Sequence, residues 1–424
     1  MTWGDVALVA TLIVLWSSFS RTFSRLGISE PLLFVAAGVA CGGVHDLSVS
    51  AQASSVRLLA EVTLVCVLFA DASRVRVHSL QHDPWLPTRL LGLGLPVTVL
   101  LGAVVAHLLQ PHSGWWAALL LGAVLAPTDA SLGAAIVTDT RVPARVRRAL
   151  NVESGLNDGI VAPVVALAVA AVAGTTATVS AHVTTAVADI ALGAVVGLVA
   201  GAAVGRLLAN AVRRGWTEGS SLGVAVTATA LGSYGLATAV HGNGFIAAFL
   251  GGLAFGACAR SIAPHLVDVD EQAGQLLSCF VWYVFGAAML RPALSSPLAP
   301  RALLYAVISL SVIRLLPVAL ALVRTHLGRP TVAFMGWFGP RGLASVVFAL
   351  LAADELGQQA TPLVTYVSLT VALSVVLHGL SANPLTRRYV RSLDQEPDDA
   401  PVLAAVPVPP SSRRLFHRQS SPST

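Results

Sequence analysis

Two short segments place side chains able to bind cations or protons inside stretches of chain that are otherwise apolar. The first segment is Ala126-Pro127-Thr128-Asp129, and the second runs from Asn151 to Gly159 about one helix later. A charged side chain at membrane depth is costly, so it normally faces a water-filled cavity, binds an opposite charge, or handles ions and protons. Asp158 is the leading candidate for that work; the other carboxylates in or near these segments are Asp129, Asp139 and Glu153.

The residues around Asp158 suit a hard cation. Ser154 lies four positions earlier and shares its helix face, while a proline break beside Thr128 would free backbone carbonyls next to the Thr128 hydroxyl. A carboxylate, hydroxyls, carbonyls and water are ligands for a cation such as Na⁺. Two other interpretations stay open. Ser154 and Thr128 could instead bond helix carbonyls, and Asp158 could form a buried pair with Arg341.

Composition places the chain among polytopic membrane proteins. Of its 424 residues 55% are hydrophobic and only 11% are charged, whereas a soluble domain carries about 25% charged residues. The net charge of +5 does not indicate nucleic-acid binding, because the basic residues lie in short loops between apolar runs. The cysteines are isolated, at 41, 66, 258 and 279. This spacing argues against a zinc site or a disulfide framework, and no cofactor is expected.

The apolar runs predict an all-α protein of about thirteen transmembrane helices. The runs lie near 4–20, 31–44, 57–72, 86–108, 115–138, 151–173, 183–208, 220–240, 244–259, 275–291, 301–323, 330–352 and 361–381. Arginines concentrate in alternate loops, so the positive-inside rule puts the N-terminus outside and the C-terminus in the cytoplasm. We expect a plasma (inner) membrane location. Residues 394–424 are polar and proline-rich and predict a disordered cytoplasmic tail.

Two spans are interrupted in corresponding places. Span five breaks at Pro127 and span twelve breaks at Gly339-Pro340-Arg341-Gly342. If two inverted six-span repeats flank a linking span, each span of the first repeat corresponds to the span seven positions later. Paired broken helices in corresponding spans mark the binding sites of transporters. The chain then divides into a transmembrane domain over 1–385, with repeat one at about 4–173, a linking span at about 183–208 and repeat two at about 220–381. Two unrelated proline kinks are the alternative.

Five segments in order resemble the monovalent cation–proton antiporters, in particular the sodium–proton exchanger type with an Asn-Asp pair. They are Asn157-Asp158 after Glu153-Ser154, Thr128-Asp129, Gly339 to Leu343, Leu68 to Arg74, and Gly244 to Phe249. The resemblance runs through nearly all of residues 5–385. It implies thirteen spans, broken helices that cross at the midplane, a six-helix core with a panel domain, and a homodimer.

The remaining charged residues receive supporting roles. Mutual pairing of Glu153 and Arg341 is the economical arrangement for two buried charges, and the resemblance implies that this pair also holds Asn157. Asp129 is expected to complement the N-terminal end of a half-helix, and Arg341 to serve C-terminal ends near span twelve. Two interpretations of Asp71 stay open: it is either the partner of Arg314 or an outer-shell cation ligand.

These expectations combine into a transport hypothesis. Asp158 can hold a proton or a cation but not both, and Asn157 cannot titrate. We therefore expect no enzyme activity but an electroneutral one-for-one exchange of Na⁺ (or Li⁺) for H⁺. K⁺/H⁺ exchange is the nearest alternative. A gated cation channel or a membrane pH sensor is less favoured, because the chain has no filter-like repeat and its tail is short. The loop histidines, His78, His82, His112 and His326, are favoured as solvated surface residues over pH sensors.

Overall fold

A computed structural model of the chain confirms the all-helical membrane class. It describes residues 3–25, 28–42, 54–74, 85–129, 139–174, 179–217, 219–259 and 263–393, together with positions 132, 136 and 402. Within these residues 87% are helical and no strand occurs. His78 and His82 lie outside the described residues, as does most of the predicted tail.

Fifteen helices account for most of the described chain. They are α1 (Trp3–Arg25), α2 (Glu30–Cys41), α3 (Ser54–Arg74), α4 (Trp85–Leu109), α5 (Gly114–Val124), α6 (Ala144–Ala173), α7 (Val179–Arg213), α8 (Gly219–Ala239), α9 (Gly244–Cys258), α10 (Ala263–Val284), α11 (Ala299–Leu310), α12 (Val312–Ala321), α13 (Arg329–Trp337), α14 (Leu343–Leu356) and α15 (Thr361–Leu393). A π-helical stretch, Leu90–Gly94, lies within α4, and another, Phe285–Leu290, continues α10 into a final turn, Arg291–Leu294.

A helix overlaps each predicted span, but the number of crossings stays a prediction. Among the described residues, eight helical stretches are long and apolar enough to cross a membrane, some of which join two of the helices above, and α2 and α9 are shorter apolar helices. The helix bounds also differ from the apolar runs. α6 begins at Ala144 rather than near 151, and α15 continues to Leu393 rather than ending near 381.

Both predicted breaks are present, and they lie against each other. α5 ends at Val124, and residues 125–129 are not helical. α13 ends at Trp337 and α14 begins at Leu343, with Pro340 between them. The backbone N–H of Asp129 donates to the carbonyl of Pro340 across the two breaks at 2.8 Å. Unwound backbone at membrane depth survives only where it is buried in protein or lines a cavity, and here each break buries the other.

A stripe of four glycines brings α7 into direct backbone contact with α9. A Cβ at Gly193, Gly197 or Gly201 would lie 2.3, 2.3 or 2.0 Å from a carbonyl oxygen of α9 or of its N-cap, Asn243. At Gly205 the same atom would meet Cys258 and Phe255 at 3.1 Å. Small residues at every fourth position let membrane helices approach closely. This glycine stripe therefore holds α7 in direct backbone contact with α9.

α6 is the helix on which the charged residues converge. It packs against α3, α5, α7, α9 and α14. On the α9 side the ring of Phe249 covers Gly159, where a Cβ would lie 2.2 Å from the ring. The neighbours of α6 thus include the half-helices that flank both breaks.

The predicted tail is described at one position only. Val402 is 2% exposed and packs in an apolar cluster with residues of α4, α6 and α15. The rest of 394–424 lies outside the described residues, so the disordered tail stays a prediction. The boundaries of the two repeats stay predictions as well.

Candidate cation site

Four polar residues share the buried face of α6 in the middle of the molecule. Glu153, Ser154, Asn157 and Asp158 are each at most 9% exposed. They form two adjacent pairs, Glu153–Ser154 and Asn157–Asp158, four positions apart, so the pairs lie on successive turns of one side of the helix. The apolar residues of α6 after Asp158 pack in the main hydrophobic core, and those before Glu153 pack in a second apolar cluster. This face therefore forms a polar strip between two apolar regions.

Thr128 attaches the first break to this strip. Its hydroxyl lies 3.0 Å from the Ser154 hydroxyl, and Asn157 Nδ2 donates to Thr128 Oγ1 at 2.8 Å and to its carbonyl oxygen at 3.3 Å. The structure therefore brings Thr128 and Ser154 together. Because the amide of Asn157 points its donors at Thr128, Asn157 orients the unwound segment. The resemblance implied that an ion pair of Glu153 holds Asn157, but Asn157 Nδ2 donates to Thr128 instead.

Asp158 is the carboxylate of this strip that has an oxygen without a hydrogen bond to any described residue. Its side chain is buried, and its Oδ1 has no hydrogen-bond partner among the residues that the structure describes. Asp129 and Asp71 are the carboxylates that interact with it electrostatically. Asp71, on α3, faces α6 beside Gly155, where a Cβ would lie 3.8 Å from that of Asp71. A concentration of negative charge and hydroxyl oxygen favours a bound cation or proton.

Glu153 binds Arg314 rather than Arg341. Arg314 Nη1 and Nη2 donate to the two carboxylate oxygens of Glu153 at 2.5 and 3.1 Å, and both side chains are 5% exposed. The predicted Glu153–Arg341 pair is therefore wrong, and Asp71 is not the partner of Arg314. A fork-to-fork arrangement satisfies both charges in one contact, which leaves Arg341 for another role.

Arg341 binds backbone carbonyls at the end of α5. Its Nη1 donates to the carbonyl oxygens of Ala126 and Pro127 at 2.6 and 3.3 Å. These carbonyls follow the C-terminal end of a half-helix, where partial negative charge accumulates. Arg341 was expected to stabilise C-terminal helix ends near span twelve. It instead binds carbonyls at the C-terminal end of the half-helix in span five.

Asp129 performs the matching task at the start of α14. Its Oδ2 accepts a hydrogen bond from the backbone N–H of Leu343 at 2.9 Å, the first helical residue after the second break. Ser345, one turn into α14, donates to the carbonyl of Val124 at 2.7 Å. Each break therefore supplies a charged side chain to the free helix end of the other.

The two glycines of the second break make room for these side chains. A Cβ at Gly342 would lie 1.9 Å from Asp129 Oδ2, and a Cβ at Gly339 would lie 2.1 Å from Arg314 Nε. The collision with the carboxylate of Asp129 therefore explains why Gly342 is a glycine.

Sequence reasoning missed two residues behind the second break. Ser374 Oγ accepts from the backbone N–H of Arg341 at 2.7 Å, and His378 lies one turn further along α15 with its ring between Ser374 and Trp337. Both are nearly inaccessible. The available signal was polar side chains at i and i+4 within the apolar run of span thirteen.

Asp139 lies away from this site. It accepts hydrogen bonds from the guanidinium group of Arg141 at 2.7 to 3.2 Å in the loop before α6. That contact holds the pKa of Asp139 below its usual value. His112 and His326 are exposed in loops, which agrees with the favoured surface interpretation.

Comparisons with known proteins extend over nearly the whole chain. The family model described as sodium/hydrogen exchanger, transmembrane, matches residues 8–388. The chain is 26% identical over 410 residues to the K⁺/H⁺ antiporter NhaP of Alkalimonas amylolytica, a match that covers 95% of this chain and 68% of that protein. It is 32% identical over 155 residues to the K⁺/H⁺ antiporter NhaP2 of Shewanella sp. strain MR-4, which covers 36% of this chain and 26% of that protein.

The helices also superpose on a solved structure. The sodium proton antiporter MjNhaP1 from Methanocaldococcus jannaschii, at pH 8, matches with a TM-score of 0.74 and 19% sequence identity. The match covers 88% of this chain and 98% of that one. At this level of identity the likeness shows a shared fold.

Proposed function

This chain belongs to the sodium/hydrogen exchanger family, and on that premise we propose that it exchanges one Na⁺ (or Li⁺) for one H⁺ across the membrane. Membership makes it a multi-pass membrane protein and a cation–proton antiporter, a transporter and not an enzyme. The identity of the cation, the stoichiometry and the residues that bind the cation are the content of the proposal.

The environment of Asp158 carries the proposal. A buried carboxylate with an unbonded oxygen lies four residues from Ser154, whose hydroxyl contacts that of Thr128. A cation bound to Asp158, Ser154 and Thr128 disfavours the protonated carboxyl group, and a proton removes the charge that holds the cation. If the protein changes its access only when Asp158 is loaded, one cation moving one way requires one proton moving the other way.

The supporting residues explain why one carboxylate titrates. Glu153 is neutralised by its two hydrogen bonds from Arg314, and Asp129 is engaged at the N-terminus of α14. Asn157 carries no titratable group. Asp71 then acts as an outer-shell ligand that attracts the cation without changing its own charge during the cycle. These assignments make the exchange electroneutral.

The orientation in the proposal rests on the distribution of arginines, and the assembly rests on the family resemblance. Arginine-rich alternate loops support a plasma (inner) membrane protein with its N-terminus outside and its C-terminus in the cytoplasm. We propose cation efflux against proton entry as the physiological direction. We include a homodimer in the proposal because the family resemblance implies one. The lipid bilayer, monovalent cations and protons are the other partners.

K⁺/H⁺ exchange is the second candidate, and the relatives favour it. Both curated proteins compared above are named K⁺/H⁺ antiporters. Oxygen ligands bind Na⁺ and K⁺ alike, so the kinds of atom in this site do not separate them. The size of the assembled site decides the preference.

Flux measurements on purified protein in proteoliposomes test the proposal. Proton movement is recorded after pulses of Na⁺, Li⁺ or K⁺ given separately, and cation movement is followed with a tracer. We expect Na⁺ and Li⁺ to drive proton flux more strongly than K⁺. Cation movement with no counterflow of protons would identify a channel instead, and stronger coupling to K⁺ would establish the second candidate.

A further inference from the structure

A buried histidine behind the second break has no role in the exchange cycle described above. His378, on α15, is 2% exposed. Its ring lies 5.3 Å from that of Trp337, the last residue of α13, and 6.5 Å from that of Phe338, the first residue of the break. Histidine is the side chain whose ordinary titration spans neutral pH, so its hydrogen bonds bear on how exchange depends on pH.

Both ring nitrogens of His378 face backbone carbonyl oxygens. Nδ1 lies 2.9 Å from the carbonyl oxygen of Ser374, and Nε2 lies 2.9 Å from the carbonyl oxygen of Trp337. The Ser374 hydroxyl is also 3.2 Å from Nδ1. A neutral imidazole has one N–H donor and one acceptor, whereas an imidazolium has two donors.

This arrangement satisfies the ring in either protonation state. In the neutral form Nε2–H donates to Trp337, and the Ser374 hydroxyl donates to Nδ1. In the cationic form both N–H groups donate to the two carbonyls, and the Ser374 hydroxyl loses its acceptor. Protonation therefore changes what Ser374 binds without leaving a ring nitrogen unbonded.

Ser374 connects the ring to the cation site. Its Oγ accepts from the backbone N–H of Arg341 at 2.7 Å, and Arg341 Nη1 binds the carbonyl of Ala126 at 2.6 Å. Ala126 lies two residues before Thr128, which contacts Ser154 and Asn157. A change at Ser374 thus acts on the residue that holds the first break in place.

The charges near His378 are of one sign. Arg341 in the second break and Arg314 on α12 both interact with it electrostatically, and Arg314 is bound to Glu153 of α6. α13 carries a single charged residue, Arg329, at its far end, and the next charged residue of α15 is Arg387. A protonated His378 adds a further positive charge beside two guanidinium groups.

We propose that His378 is a positioning residue whose protonation loosens the hold of Arg341 on the first break and so slows exchange at acidic pH. Protonation of His378 should lower the maximal rate of exchange, because it changes the arrangement of the two breaks. Competition between protons and cations at Asp158 instead raises the cation concentration needed for half-maximal rate. The inference rests on the proposed function, since it concerns the rate of that exchange.

The test replaces His378 with an amide that stays neutral at every pH. His378→Gln keeps an N–H donor for Trp337 and an acceptor for Ser374. Exchange by the purified protein in proteoliposomes is measured at saturating and subsaturating Na⁺ from pH about 4 to about 8, a range extended below that of an exposed histidine because two guanidinium groups lie near the buried ring. The maximal rate of the wild type should fall by about tenfold per pH unit below the titration of one group. In His378→Gln the maximal rate should stay flat while the half-saturating Na⁺ concentration still rises with acidity.

A second histidine supplies the control. His107, on α4, stacks at 4.0 Å on Trp115, which lies at the end of α5 away from the first break, so His107→Gln should keep the wild-type profile. His378→Asn, also neutral, replaces the glutamine variant if that variant does not fold. An unchanged fall of the maximal rate in the neutral variants would overturn the inference while leaving the exchange function intact. Absence of exchange in the wild type would overturn the proposed function itself.

Discussion

Glu153 on α6 and Arg314 on α12 form a two-point ion pair that joins the helix bearing Asp158 to the helix that precedes α13. The carboxylate receives hydrogen bonds of 2.5 and 3.1 Å from the two terminal guanidinium nitrogens. Because Arg314 satisfies Glu153, Arg341 is available to bind the carbonyls of Ala126 and Pro127. The two buried arginines thus divide the work: one neutralises a carboxylate and the other stabilises unwound backbone.

Substitution of either member of this pair should destabilise the protein. Glu153→Ala or Arg314→Ala should each lower the free energy of unfolding by about 3–5 kcal/mol, because each leaves a buried charge without its partner. The double variant should lose less than the sum of the single losses. Denaturant unfolding in detergent measures all three. Glu153→Ala combined with Arg341→Ala is the matched control. A coupling energy larger in that control than in the Glu153–Arg314 cycle would contradict the observed pairing.

Asp158→Asn should abolish exchange and leave folding intact. The substitution keeps the size of the side chain and removes the group that binds cation and proton in competition. Cation-driven proton flux in proteoliposomes measures the loss, and size-exclusion chromatography checks the fold. Asp139→Asn, at the loop carboxylate bound to Arg141, is the control and should retain flux. A substantial residual flux in Asp158→Asn would show that another residue binds the cation.

Gly342→Ala should disrupt the contact between the two breaks. The new methyl group would lie 1.9 Å from Asp129 Oδ2, so the carboxylate must leave the N-terminus of α14. We expect a lower melting temperature and a loss of exchange of at least about tenfold, equivalent to about 1.4 kcal/mol. In the control, Gly232→Ala, nothing lies within 4 Å of the added methyl. It should stabilise α8 by about 0.5–1 kcal/mol. Equal behaviour of the two variants would remove the steric explanation of Gly342.

Exchange should be insensitive to membrane potential. With Asp158 as the one titrating ligand, each turnover moves equal charge in both directions, so a clamped potential does no net work on the cycle. Initial rates in proteoliposomes should nevertheless respond to the pH gradient. A potential of 100 mV is worth about 2.3 kcal/mol per charge moved. A clear acceleration by such a potential would mean that a second group titrates, and Asp71 would be the first to examine.

The broken helices and the task of Asp129 followed from local sequence. A proline between apolar segments removes a backbone donor wherever the segment packs. A carboxylate beside the break can accept hydrogen bonds from the free N–H groups at the start of the next half-helix. The partner of Glu153 did not follow, because the sequence offers two buried arginines of equal charge. The choice between Arg314 and Arg341 depends on where α12 lies beside α6, which only tertiary packing determines.

Helix bounds were missed for a different reason. Hydropathy marks the part of a helix that is apolar, whereas hydrogen bonding continues into the polar ends. α6 therefore includes Arg145, Arg147 and Arg148 before its apolar run, and α15 includes Arg387, Arg388 and Arg391 after its run. His378 was missed because polar residues four positions apart, such as Ser374 and His378, are a weak signal by themselves, and the contact of His378 with the carbonyl of Trp337 on α13 depends on tertiary packing.

The glycine stripe on α7 has a consequence for genetic work on this protein. A random-mutagenesis screen that scores survival in high salt would recover changes at Gly193, Gly197 and Gly201 beside changes at Asp158, since a methyl group at these glycines collides with the backbone of α9 or of its N-cap. The two groups of alleles differ in protein abundance. Substitutions at the glycines should lower the amount of the protein in the membrane. Substitutions at Asp158 should leave the amount unchanged and abolish exchange. Immunoblots of membrane fractions therefore have to accompany any such selection before an allele is assigned to the ion path.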